Sequence, residues 1–223
     1  MSEETDTPRG LVIALLGAES TGKTTLAHAL AQTLAGEGRD VVVVPEYLRE
    51  FCDTHGRTPR IDEQRSIAAE QMRRIAAAAA AHAVVIADTT ALMIAVYSDQ
   101  VFGDTSLYAD AQAAHAQGCD LTLLTALDLP WQADGLQRDG PQVREPVDAK
   151  VRAALARAAV PYAVVFGSGE TRGDAALAAV RRALAGPPAD ADAESGAARW
   201  HWHWHCERCG DADCERHRLL PLG

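Results

Sequence analysis

The chain has 223 residues, 48% of them hydrophobic and 23% charged, enough for one sizeable α/β core and a small appendage. Its formal net charge of −10 argues against nucleic acid as a partner, because phosphate backbones demand clustered Lys and Arg; a local basic pocket for a nucleotide stays open. No apolar run approaches membrane-spanning length, and the N-terminus is polar and acidic rather than signal-like, so the expectation is a cytoplasmic protein with no membrane partner.

Residues 1–9 read as a disordered N-terminus. The first strand is expected over Leu11–Leu16, and the loop behind it, Gly17-Ala18-Glu19-Ser20-Thr21-Gly22-Lys23-Thr24, fits G-x-x-x-x-G-K-[ST]. An apolar helical pattern, Lys23–Ala35, follows at once. Strand, glycine loop and helix in this order make the motif a phosphate-binding P-loop. Gly17 and Gly22 let successive backbone N–H groups turn toward phosphate oxygens, and the helix N-terminus adds partial positive charge there. Lys23 is expected to reach the β- and γ-phosphates of ATP, and Thr24 to hold Mg²⁺. The cofactor-binding stretch runs from Gly17 through Thr25.

Further strands are expected at Val41–Val44, Ala83–Ala87, Leu121–Leu124 and Tyr162–Phe166. They are rich in Val, Leu and Ile without alternation, the pattern of strands buried on both faces. Between and after them lie helical patterns at Asp62–His82, Ala91–Val101, Ser106–Gln117, Val147–Ala159 and Thr171–Ala185. The alternation implies an α/β, doubly wound, mostly parallel five-stranded sheet of the P-loop NTPase type. The domain is expected to span 10–186, followed by a Pro/Gly/acid-rich linker over 187–199 and a Cys/His tail over 200–223.

Ligands of such sheets bind beyond the carboxyl ends of the strands, which puts Glu46 and Arg49, after the second strand, and Asp88, after the third, on one crevice. Asp88 closes a hydrophobic strand, so it either serves Mg²⁺ and catalysis or caps the next helix. Glu46 either takes or orients the proton of an acceptor hydroxyl or pairs with Arg49. Arg49 meets a substrate anion or is a surface charge. The polar stretch from Leu129 to Arg144 either forms a lid that brings Arg138 and Arg144 over the γ-phosphate or is an exposed loop.

In the tail, Cys206-x2-Cys209-x4-Cys214-x2-His217 offers four ligands for a structural, knuckle-like Zn²⁺ site; the alternative is free thiols. The Trp200/Trp202/Trp204 and His201/His203/His205 alternation has a strand period, and the tail is a candidate docking point for a protein partner.

The P-loop, Pro45-Glu-Tyr-Leu-Arg-Glu-Phe51, Asp88-Thr-Thr90 and Pro130-Trp-Gln-Ala-Asp-Gly-Leu-Gln-Arg138 together resemble the ribosylnicotinamide-kinase-like P-loop family, which includes the kinase domain of the bacterial NAD-biosynthesis regulator. Members are often labelled AAA-type ATPases. The resemblance covers roughly Gly10 to Gly186 and implies ATP- and Mg²⁺-dependent phosphorylation of the ribose 5′-hydroxyl of nicotinamide riboside. It makes Glu46 and Asp88 active-site acids, Trp131 and Asp134 substrate-side residues, and Arg138 and Arg144 lid cations. With about nine residues before the first strand, neither the helix-turn-helix nor the adenylyltransferase domain of that regulator is expected here. The spacing from Asp134 to Arg138 is one residue longer than a D-G-x-R pattern. A regulatory ATPase, or nucleotide switch, with a partner-docking tail is the alternative function.

Overall fold

The structure is a computed structural model; it describes residues 9–132 and 140–186. The chain divides after Gly186, and the linker, the tail and the proposed Zn²⁺ ligands Cys206, Cys209, Cys214 and His217 lie outside the described residues. So do Asp134 and Arg138.

Five strands, β1 (Leu11–Leu16), β2 (Val41–Val44), β3 (Val84–Asp88), β4 (Leu121–Thr125) and β5 (Ala163–Val165), form one sheet in the order β2-β3-β1-β4-β5. Every pairing is parallel, where the sequence implied a mostly parallel sheet. The helices are α1 (Lys23–Gly36), α2 (Tyr47–His55), α3 (Gln64–Ala81), α4 (Ala91–Phe102), α5 (Tyr108–Gly118), α6 (Arg144–Arg157) and α7 (Gly169–Ala185).

The period-2 geometry of the strands sorts the core into two faces. Ile13 and Leu15 of β1 point to one side and pack with Leu26, Leu30 and Leu34 of α1 and with Ala176 and Val180 of α7. The opposite side is covered by α3 over Val12 and Val85 and by α4, α5 and α6. Helix α4 lies innermost: every residue from Ala91 to Ser98 is buried, as an all-round apolar helix requires. β1 sits between β3 and β4, so its C-terminal end is the switch point where chain connections leave in opposite directions and a crevice opens.

Most boundaries moved by one or two residues, the largest shift is at α6, and α2 was not expected as a helix. Helix α6 begins at Arg144, three residues before the apolar pattern starts at Val147, because a 3₁₀ turn at Pro141–Val143 feeds directly into it. Helix α2 was read only as the segment after the second strand. Its signals are Leu48 and Cys52, four residues apart and both buried, and Gly56 at its C-terminal end with φ 65°, the left-handed closure that glycine favours.

His115 of α5 is fully buried. Its Nδ1 lies 3.0 Å from Thr90 Oγ1 and its Nε2 2.9 Å from Thr122 Oγ1, so it ties the end of β3 to β4. Burial pushes the imidazole down to about 4 from 6.5. The folded state therefore favours the neutral ring. Between those two values the unfolded chain binds more protons than the folded one, so this contribution is complete above pH 6.5 and is lost as the pH falls toward 4. Denaturation of wild type and His115→Gln across this window is expected to show a steeper acid loss in wild type. The difference should approach one proton, about 1.4 kcal/mol per pH unit; equal slopes would mean that His115 titrates normally.

Candidate functional site

The loop after β1 has the backbone that its glycines foretell. Gly17 has φ 146° and Gly22 φ 76°. A Cβ at Gly17 would lie 2.0 Å from Thr125 Oγ1, so β4 approaches too closely for any side chain there. Thr125 Oγ1 donates to Thr21 Oγ1 at 2.7 Å and lies 3.1 Å from Leu16 O, and Thr21 Oγ1 donates to Ala18 O at 2.7 Å. Lys23 is nearly buried, and its Nζ donates to Gly17 O at 2.9 Å and Ala18 O at 3.0 Å. The ammonium is thus held over the loop, and α1 aims its N-terminus at the same point. Ser20 and Gln132 exchange hydrogen bonds between the Ser20 hydroxyl and the Gln132 backbone, which lays the segment after β4 across the loop mouth.

Asp88 ends β3 beside this loop. Thr24 Oγ1 donates to its Oδ2 at 2.5 Å; its Oδ1 is buried with no hydrogen-bond partner among the described residues. The helix-capping alternative for Asp88 belongs to its neighbour: Thr90 is the N-cap of α4, its side chain accepting from Leu92 N. Thr89, between them, has φ 86°, a strained conformation for a β-branched residue, and its buried hydroxyl also has no partner among the described residues.

Glu46 stands at the N-terminus of α2, but its side chain makes no capping bond. Its carboxylate is only 12% exposed and lies 3.9 Å from Arg49. A cavity of about 370 Å³ is lined by Thr21, Lys23, Thr24, Leu129 and Gln132. A second, of about 290 Å³, is lined by Glu46, Glu50, Asp53 and Asp88. Thr24 and Arg49 belong to the walls of both.

The remaining predicted residues fall differently. Arg144 is the first residue of α6 and is buried. Its Nη1 donates to Leu129 O at 2.9 Å, while Nε and Nη2 have no partner among the described residues. Trp131 is half-buried beside Pro130. Among the described residues, no three His, Cys, Asp or Glu cluster as a metal cage. An Mg²⁺ that keeps several waters needs fewer protein ligands than that, and the adjoining Thr24 hydroxyl and orphaned Asp88 oxygen are hard donors of the kind it takes.

Three residues near the site were missed. Tyr97 of α4 is pushed well above its usual value by burial and then by the charges of Glu46 and Glu19, so its phenol stays neutral. Arg172 of α7 donates from Nη2 to Thr21 O at 2.7 Å and from Nη1 to Asp128 Oδ1 at 2.9 Å, clamping the P-loop to the loop after β4. Gln71 of α3 is fully buried and bonds to both acid-bearing segments. Gln71 lies among Glu70, Arg73 and Arg74, and Arg172 among Glu170, Thr171 and Asp174, so no sequence signal set either apart from its exposed neighbours.

A parallel sheet with a P-loop at its switch point defines a nucleotide-binding protein of the P-loop class. The model of the AAA domain family matches residues 12–172, and the chain belongs to that family. Among solved structures, NadR protein in complex with NAD and AMP-PNP is similar at 21% identity and TM-score 0.62, covering 77% of this chain and 49% of that one. NadR protein in complex with NR is similar at 21% identity and TM-score 0.63, covering 77% and 50%. The chain spans about half the length of these structures, and the likeness establishes the shared fold. No curated protein matches. Among the described residues, no helix is long and apolar enough to cross a membrane.

Proposed function

We propose that the protein is an ATP-dependent kinase that transfers the γ-phosphoryl group to the hydroxyl of a small nucleoside, nicotinamide riboside being favoured. The observation that carries this reading is the pair of adjoining cavities, one built on the P-loop and one lined by acids, with Thr24 and Arg49 in the walls of both. A hydrolase needs only the first; a transferase needs room for an acceptor beside it. Lys23, Thr24 and the loop amides hold the triphosphate. Glu46 orients the acceptor hydroxyl and takes its proton. Arg49, Trp131 and Asp134 contact the acceptor, and Arg138 and Arg144 supply positive charge as it develops on the transferred group. Thr24 and Asp88 would hold Mg²⁺, which would screen the charge on the phosphate oxygens. The choice of nicotinamide riboside rests on the motif resemblance and on the NR held by a NadR structure of the same fold.

Purified protein with ATP and Mg²⁺, assayed against a panel of nucleosides, is expected to form ADP and a phosphorylated nucleoside in equal amounts, fastest with nicotinamide riboside. ATP binding without turnover of any nucleoside would overturn the reading, and steady hydrolysis alone would favour the regulatory ATPase.

A further inference from the structure

We propose that Gln71 is a positioning residue that fixes the acceptor-side acid Glu46 relative to Asp88, and so determines whether the phosphoryl group goes to the acceptor or to water. The inference rests on the kinase reading above. Gln71 is 0% exposed and sits on α3, outside both cavities, so it touches neither nucleotide nor acceptor. Its carboxamide spends both ends on the two acid-bearing segments. Oε1 accepts from Tyr47 N at 2.7 Å. Nε2 donates to Pro45 O and to Thr89 O, each at 3.3 Å. Tyr47 and Pro45 are the residues on either side of Glu46, and Thr89 follows Asp88. One side chain therefore brackets one acid and abuts the other.

These bonds bear on a backbone that does not hold itself. Thr89 has φ 86°, which a β-branched residue adopts only when its surroundings impose it. The Thr89 carbonyl is oriented by Gln71, and its N–H is anchored on Leu15 O at 3.1 Å. Pro45 fixes φ on entry to α2, and Glu46 itself makes no capping bond with its side chain. The Glu46 carboxylate faces Arg49 at 3.9 Å, and the backbone on each side of Glu46 is held by Gln71. Phosphoryl transfer depends on the reacting oxygen being in line, and a displacement of about 1 Å costs on the order of 10²-fold. Misplacing the acceptor leaves water as the competing nucleophile, while the P-loop, carried by β1 and α1, is untouched.

The test compares wild type, Gln71→Met and Gln71→Glu for phosphorylated nucleoside formed per ADP released, with KM for ATP measured in parallel. In Gln71→Met this ratio is expected to fall at least tenfold while KM for ATP changes less than twofold. Gln71→Glu separates positioning from folding. Its carboxyl group when protonated keeps the acceptor and supplies one donor where the carboxamide supplies two; when ionised it turns a second acceptor toward both carbonyls. Its ratio relative to wild type is expected to rise as pH is lowered. If wild type transfers to a nucleoside while both variants keep its ratio at every pH, the positioning role is overturned and the kinase reading stands. If wild type transfers to no nucleoside, the kinase reading falls and this role with it.

Discussion

Replacing Lys23 by alanine is expected to lower turnover by about 10³-fold. The ammonium is nearly buried and already oriented by the Gly17 and Ala18 carbonyls at 2.9 and 3.0 Å. Both contacts are to the loop that receives phosphate, so its charge lies where charge builds in the transition state, and the surrounding protein has excluded most of the water that would screen it. A group held this way costs no reorganisation during the reaction. Alanine also removes the donor to the Gly17 carbonyl, while Ala18 O keeps Thr21 Oγ1, so nucleotide affinity should fall with kcat, whereas α1 keeps its burial through Leu26, Leu30 and Leu34. The check is kcat at saturating ATP, ATP affinity and thermal denaturation on the same protein. A melting transition close to wild type with turnover lost is the expected result; turnover within tenfold of wild type would remove Lys23 from the chemistry.

The contrast between what was legible and what was not follows from range. The P-loop is local: a strand of Leu, Val and Ile, two glycines and a helix carry their whole meaning within one stretch of chain. The end of β3 is nearly as local, since Val84-Val85-Ile86-Ala87 runs into Asp88 and the next helix is capped by Thr90. The order of the strands is different. Nothing in the sequence of β1 says that β3 and β4 will flank it; that depends on how the crossover helices, above all the buried α4, share the faces of the sheet.

The acceptor side shows the same division. Glu46 was legible as an acid after a strand, but α2 was hidden by attention to its first residues, although Leu48, Cys52 and Gly56 mark a helix and its end. Gln71 and Arg172 lie in helices where a single polar residue looks like an exposed one. Their partners are distant in sequence: Gln71 reaches Tyr47 and Thr89, and Arg172 reaches Thr21. Only the folded chain shows that each fixes a loop carrying candidate chemistry. Arg144 sits between the two cases: its place after a polar loop was legible, and its burial at the start of α6 was not, because it follows from the 3₁₀ turn over Pro141–Val143 that runs into the helix.

Replacing Glu46 by glutamine is expected to reduce phosphoryl transfer to a nucleoside by about 10²- to 10⁴-fold, with ATP affinity unchanged. The substitution keeps size and hydrogen-bonding reach while removing the base. Because the Glu46 side chain makes no capping bond, the substitution removes no cap from α2, and the hold of Gln71 is on the neighbouring backbone rather than on the carboxylate. The bland role for Glu46, as a partner of Arg49 at 3.9 Å, predicts something else. Arg49 is about half exposed, and an ion pair screened by solvent at its cationic end is worth little, so losing the carboxylate would then barely alter either stability or rate. Measuring kcat for transfer, the rate of hydrolysis without acceptor and the denaturation midpoint on Glu46→Gln separates the two. A transfer rate within threefold of wild type assigns Glu46 to the surface pair. A large loss of transfer with hydrolysis retained places the proton of the acceptor hydroxyl on Glu46 and makes the acid-lined cavity the acceptor's own.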